Sequence, residues 1–215
     1  MTLHTPLSYS VERRFIWYRV AKNGTRTLNQ VLKNHIPDYR YLNRRDPKPS
    51  DLHDLASTSC FRFAFVRNPW ERLLSGWLSK FHHANPERAI RLARALRAEV
   101  TAAQMEVWMT DFAAFVQALP GSALYRNNVH FMPQTMILGG VPLDFEGRFE
   151  RFEADVRHVM RESGVPCDVT IPHKNRSRRS GPYASYYAEK TRAIADALYT
   201  EDGIRYGYRF EEGTE

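Results

Sequence analysis

The run Lys22-Asn23-Gly24-Thr25-Arg26-Thr27 gathers what an anion needs: an ammonium, two threonine hydroxyls and a glycine over which backbone can approach closely. It follows an aromatic and β-branched stretch, Arg13 to Val20, and precedes Leu28, Val31 and Leu32 at helical spacing up to His35. A strand turning into a helix aims the N–H groups of the first helical turn at one spot, and the helix dipole adds positive charge there. The run therefore reads as a phosphate cradle or as an ordinary strand-to-helix turn capped by Thr25. A Walker loop is excluded, because GxxxxGK[ST] needs a second glycine and a lysine just before the Ser or Thr.

A second candidate is Val66-Arg67-Asn68-Pro69-Trp70-Glu71-Arg72-Leu73-Leu74-Ser75-Gly76. Arg67 ends an apolar strand read over Cys60 to Val66, where a guanidinium is costly to bury without a partner. Pro69 suits the first position of a helix, and Ser75 lies on that helix. Arg67 with Ser75 suits a phosphate monoester; alternatively Arg67 or Arg72 pairs with Glu71.

The elements that must position these residues are legible in outline. Leu73, Leu74, Trp77, Leu78 and Phe81 give the Pro69 helix an apolar face. Further helices are predicted over 86–100, 111–119, 152–160 (stopping before Gly164) and 183–199, with short strands over 136–138 and 144–149. Residues 43–51 and 170–182 read as loops, the second one basic. Strand–loop–helix recurs in the first part of the chain, which points to an α/β fold: a P-loop-like three-layer sandwich with a central parallel β-sheet flanked by helices. Residues 1–215 read as a single domain.

Composition excludes several classes. With 215 residues and 43% hydrophobic positions, the chain can bury a full core and is neither disordered nor fibrous. No apolar run approaches the roughly 18 residues of a membrane span. The N-terminal stretch lacks the basic-then-apolar order of a secretory signal. Cys60 and Cys167 give no disulfide framework, and a cytoplasmic location is the expectation. No HxxxH, CxxC or acidic cluster suggests a metal. The formal charge of +7 implies an anionic partner without choosing one.

The two loops together resemble the sulfotransferases that use 3′-phosphoadenosine 5′-phosphosulfate (PAPS). Lys22-Asn23-Gly24-Thr25-Arg26-Thr27 is similar to their 5′-phosphosulfate loop. FAFVRNPWERLLSGW, residues 63–77, is similar to their 3′-phosphate motif, with Arg67 and Ser75 at the matching positions. The likeness is to the Golgi carbohydrate branch, including chondroitin 4-O-sulfotransferases. It continues through Asn128-Val129-His130-Phe131-Met132-Pro133-Gln134, DFEGRFERFE at 144–153 and the LYTEDGIRYGYRF tail, covering about residues 14–210. The membrane anchor, stem and paired cysteines of Golgi members have no counterpart, so a minimal catalytic domain is expected.

The resemblance implies that Lys22 assists the leaving phosphate and that PAPS is the co-substrate. Asn23, Gly24, Thr25, Arg26, Thr27, Arg67 and Ser75 would hold the nucleotide, with Ser177 and Arg179 added from the basic loop; a merely solvated loop is the alternative there. Sulfuryl transfer needs placement and charge stabilisation more than a metal. The base that takes the acceptor proton is expected to be a histidine. His53, read in a loop before the second phosphate strand, and His130 both qualify, and a base elsewhere stays open. The acceptor is expected to be a hydroxyl of a carbohydrate or small metabolite, anionic ones included, with no nucleic-acid partner and no membrane span. Arg88, Arg91, Arg94 and Arg97 could steer an anionic acceptor or simply face solvent. Two competing readings stand: a nucleotide-dependent kinase or phosphoryl transferase, and a non-enzymatic basic nucleic-acid-binding protein.

Overall fold

The computed structural model describes residues 5–43, 45–95, 101–166, 168–171 and 179–211. Contacts gather into two compact units, Met1–Arg67 with Ile137–Lys174 and Asn68–Met136 with Asn175–Glu215.

The first unit is built on a five-stranded sheet of order β3-β1-β2-β4-β5. Its strands are β1 (Leu7–Ser10), β2 (Phe15–Tyr18), β3 (Arg40–Leu42), β4 (Phe61–Val66) and β5 (Phe145–Arg148). β2, β4 and β5 run parallel, as the strand–loop–helix pattern requires. The sheet is nevertheless mixed, because β1 pairs antiparallel with both β2 and β3. Neither β1 nor β3 was predicted: each is too short to show a period, and β3 is an exposed edge.

Register assigns the two faces. Phe15, Trp17, Phe63 and Phe65 share one face and pack with Leu28, Val31 and Leu32 of α1 (Thr25–His35) and with Val156, Val159 and Met160 of α9 (Phe152–Glu162). Tyr9 shares the other face with Ile16 and donates its hydroxyl to Asp51 of α2 (Ser50–Ser57) at 2.9 Å. Arg62, on that same face, donates to the Ala56 and Thr58 carbonyls at the end of α2. Helices thus cover both faces, and the three-layer arrangement holds within this unit.

Asp38 closes the hairpin that sets the β1–β2 register. Its carboxylate accepts from the Ser10 hydroxyl at 2.5 Å and from the Val11 and Glu12 N–H groups at 2.8 and 3.0 Å. Burial would raise its pKa, but the bonds from Ser10, Glu12 and Val11 outweigh that and hold it below the usual carboxylate value. Such a group stabilises the fold above its unfolded pKa of about 3.9, and that contribution fades as pH falls through the lower folded value. We expect Asp38→Ala to lower stability by about 1–2 kcal/mol at neutral pH, the half-exposed site keeping the loss modest. The gap from wild type should shrink below pH ~4, as urea titrations at both pH values would show; a gap independent of pH would remove the ionised carboxylate from the account.

The second unit is helical and has its own core, running from Trp70, Leu73, Leu74 and Trp77 to Phe115, Phe131 and Tyr199. α3 (Pro69–Trp77) starts as the sequence implies, with Pro69 in its first turn and the Asn68 side chain accepting from the Glu71 N–H at 3.1 Å. It continues into a π-helical turn, Leu78–His82. α4 is described over Pro86–Ala95 and α6 covers Phe112–Ala118. α5 (Ala102–Thr110) and α7 (Ala123–Asn127) were not predicted, although Thr101 and Gln104 form a capping box that announces α5.

Two expectations are corrected. The strand predicted over 136–138 is part of a helix, α8 (Gln134–Leu138). A short apolar run cannot by itself separate the two states, and the cap that decides it comes from far along the chain. The buried Asp202 carboxylate accepts from the Gln134 and Thr135 N–H groups, each at 2.8 Å. The last helix, predicted over 183–199, is α10 (Glu189–Tyr206), preceded by a separate 3₁₀ turn at Tyr183–Tyr186. It kinks at Tyr199 and ends at Gly207.

Candidate functional site

The first unit brings the Lys22–Thr27 loop together with Arg67. Between β2 and α1 the chain turns through Lys22 at φ 76° and Gly24 at φ 75°, both left-handed. A side chain at Gly24 would be doubly excluded, since a Cβ there would sit 2.1 Å from the Phe152 ring. Asn23 is fully buried and donates its amide to the Phe65 carbonyl at 2.6 Å, which fastens the loop to β4. Gly24, and not Thr25, is the N-cap residue of α1, whose first turn carries no acidic side chain. The first i→i−4 bond runs from Leu28 N to Gly24 O, so the Thr25, Arg26 and Thr27 amides lie ahead of the helical ladder. Thr27 is buried, Lys22 and Thr25 are half-buried, and Arg26 faces solvent.

Arg67 is 4% exposed. Its guanidinium lies 4.1 Å over the Phe149 ring, and Nη1 donates to the Lys22 carbonyl at 3.0 Å. The second motif's arginine therefore braces the first motif's loop. Just before the loop, Arg19 lies over the Tyr41 ring and donates to the Leu42 carbonyl. Burial lowers its pKa, partly offset by its hydrogen bond with Tyr41.

Ser75, Gly76, His130 and Arg179 belong to the second unit. Ser75 is buried on α3, next to Gly76. A Cβ at Gly76 would come 3.1 Å from the His130 carbonyl and 2.9 Å from the Phe131 ring, so the missing side chain lets the His130 segment lie against α3. Glu71 pairs with Arg179. Arg179 is thereby engaged by a carboxylate, a partner the sequence had not assigned to it. Arg72 is fully buried and donates to the Met132 and Val129 carbonyls at 2.9 and 2.7 Å.

His53 is placed differently from the expectation. It lies on α2, not in a loop, and its side chain is exposed. The helix forms because Leu52 and Leu55 are buried while His53 and Asp54 face out. His130 sits half-buried in the turn after α7. Ser177 lies outside the described residues, as do Cys167, Arg97 and most of the basic loop. Arg88 and Arg91 are exposed, the latter 3.5 Å from Glu87.

A family model described as "Sulfotransferase family" matches residues 5–209, which run through both units. The chain belongs to the sulfotransferase family. Carbohydrate sulfotransferase 14 of Homo sapiens and its Mus musculus counterpart are each 30% identical to it over 181 residues, covering 80% of this chain and 47% of the relative. Carbohydrate sulfotransferase 8 of Homo sapiens is 27% identical over 159 residues, 66% of this chain and 36% of the relative. The chain thus spans about half the length or less of these curated relatives. No solved structure gives a significant match. Among the described residues no helix is long and apolar enough to cross a membrane.

Sequence reasoning had not seen what several residues of this sulfotransferase-family chain do. Phe149 lies under Arg67 and Phe152 closes over Gly24; both fall in DFEGRFERFE, which had been noted as a likeness without a role. Arg72, which the sequence offers only as an alternative partner for Glu71, holds the Met132 and Val129 carbonyls. Asn128, inside the His130 segment, carried no expectation of its own.

Proposed function

We propose that this chain transfers a sulfuryl group from PAPS to a hydroxyl of a carbohydrate. The observation that carries the reading is the Arg67–Lys22 contact, which ties the arginine of the second motif to the first motif's loop around a left-handed turn at a helix N-terminus. The carbohydrate acceptor is taken from the names of the relatives, carbohydrate sulfotransferases 14 and 8.

The Gly24 turn fits a phosphate, because it opens a helix whose Thr25, Arg26 and Thr27 amides lie ahead of the helical ladder. The bound donor supplies a sulfuryl group on a phosphosulfate anhydride. In this reading the amides opening α1, with Thr25 and Thr27, hold the 5′-phosphate. Lys22 offsets charge on the oxygen left behind as the sulfuryl group departs. Arg67, buried beside this loop, serves the 3′-phosphate. That assignment separates PAPS from ATP, which lacks a 3′-phosphate. His130 takes the acceptor proton; its half-buried turn suits a base better than the exposed helical position of His53.

The test is thermal shift with adenosine 3′,5′-bisphosphate against ATP–Mg²⁺, followed by transfer of labelled sulfate from PAPS to glycan acceptors. Bisphosphate should stabilise the chain by mass action and ATP–Mg²⁺ should do so far less; the reverse order rejects the assignment. Arg67→Ala should weaken bisphosphate binding about 10- to 150-fold, the equivalent of roughly 1.5–3 kcal/mol for a charge-assisted bond. An unchanged calorimetric Kd on folded Arg67→Ala protein would take Arg67 out of the phosphate site.

A further inference from the structure

We propose that Asn128 is the positioning residue that sets the tautomer of His130, with the proton on Nδ1 and Nε2 as the atom that receives the acceptor's proton. The inference rests on the reading of His130 as base and deepens it.

The tautomer follows from what each atom can do. Asn128 Oδ1 lies 2.9 Å from the backbone N–H of His130. A backbone N–H only donates, so the atom facing it is the amide oxygen and not the NH₂ group. The same Oδ1 lies 2.9 Å from His130 Nδ1. An amide oxygen only accepts, so Nδ1 must carry the hydrogen. In a neutral imidazole the other nitrogen, Nε2, then holds the lone pair. When Nε2 takes a proton, the Nδ1–H···O bond is kept and becomes charge-assisted. No rearrangement on the Asn128 side is needed at the moment of transfer.

The turn that carries the pair is held from several directions. Asn128 is buried, and its carbonyl accepts from the Phe131 and Met132 N–H groups at 2.9 and 2.8 Å. Arg72 reaches the carbonyls of Val129 and Met132, on either side of His130. The Tyr199 hydroxyl donates to the Phe131 carbonyl at 2.6 Å. Gly76 leaves the room the His130 carbonyl needs against α3. Burying an arginine is costly unless its donors are met, and here two of them meet carbonyls that fix where the imidazole hangs. Arg72 is a second positioning residue by this geometry.

The experiment reads the imidazole directly. Long-range ¹H–¹⁵N correlation spectra of the ¹⁵N-labelled full chain, with His130→Ala identifying the resonance, should show the Nδ1–H tautomer in the neutral wild-type ring. A neutral wild-type ring protonated on Nε2 overturns the proposal without any variant at Asn128. Asn128→Leu should lose the tautomer preference and lower kcat by roughly tenfold or more, with the bisphosphate Kd unchanged. Asn128→Asp keeps an oxygen facing both donors and should restore the tautomer and kcat to within a few-fold of wild type, which also serves if Asn128→Leu does not fold. His130→Ala should lower kcat by about 10²- to 10⁴-fold. Wild-type kcat in His130→Ala rejects the base reading itself. Loss of activity in His130→Ala with wild-type kcat and tautomer in Asn128→Leu rejects the role of Asn128 alone.

Discussion

Replacing Lys22 with glycine is expected to cut turnover by about 10²- to 10³-fold, the loss typical of removing one donor that meets developing charge, while the fold becomes slightly more stable. Lys22 has φ 76° and is not a glycine, a conformation that costs an ordinary residue about 1–2 kcal/mol. Glycine removes that strain but adds unfolded-state freedom worth about 0.5–1 kcal/mol. The difference favours the variant by roughly 0.5–1 kcal/mol, a rise in Tm of about 1–4 °C for a chain of this size. The Arg67 contact survives, because it is made to the Lys22 backbone carbonyl. Lys22→Ala should lose the same turnover without the gain in Tm. Bisphosphate affinity should change less than kcat in both, since that ligand lacks the departing sulfuryl group. Wild-type turnover in Lys22→Gly would remove the ammonium from the chemistry. A lower Tm would mean that Lys22 occupies its turn without strain.

That opposition between strain and charge at Lys22 also shows what the sequence could and could not reveal. The chemistry-bearing types were visible, since a lysine, a glycine and two threonines stand between a strand and a helix. Which of them would be left-handed was not, because a lysine at positive φ follows no local propensity and is held by Arg67, the residue after β4. The aromatic strands β2 and β4 were legible because every second residue is a large ring packed against α1 or α9. α8 was misread for the opposite reason: its start is fixed by Asp202, remote in sequence. The same remoteness hid the pairing of Glu71 with Arg179, where the local view offered Arg67 and Arg72 instead. In the His130 segment the signal was local and still silent. Asn128 and His130 are two positions apart, and only the folded turn shows that one amide oxygen faces both the N–H and the ring of the histidine.

Gly24→Ala is expected to damage both the fold and the Lys22–Thr27 loop. The position has φ +75°, and the added Cβ would lie 2.1 Å from one carbon of the Phe152 ring and 2.4 Å from another. Left-handed backbone costs an alanine about 1 kcal/mol, and overpacking adds roughly 1–3 kcal/mol. Together these should lower Tm by about 4–16 °C. The ring cannot retreat without cost, because it is held in aromatic contact with Phe65 at 5.5 Å and Phe149 at 5.6 Å, and Phe149 lies under Arg67. A shift of Phe152 therefore reaches the guanidinium, and bisphosphate binding should fall along with stability. Phe152→Ala separates the two causes. Alone it loses ring packing. Combined with Gly24→Ala it opens the space the new Cβ needs and leaves only the backbone strain. The double variant should thus be more stable than the sum of the single losses allows, by about the 1–3 kcal/mol assigned to overlap. Urea denaturation of the four proteins measures that coupling. Strict additivity would place the whole cost of Gly24→Ala in its backbone, and the Phe152 ring would no longer explain why the loop needs a glycine.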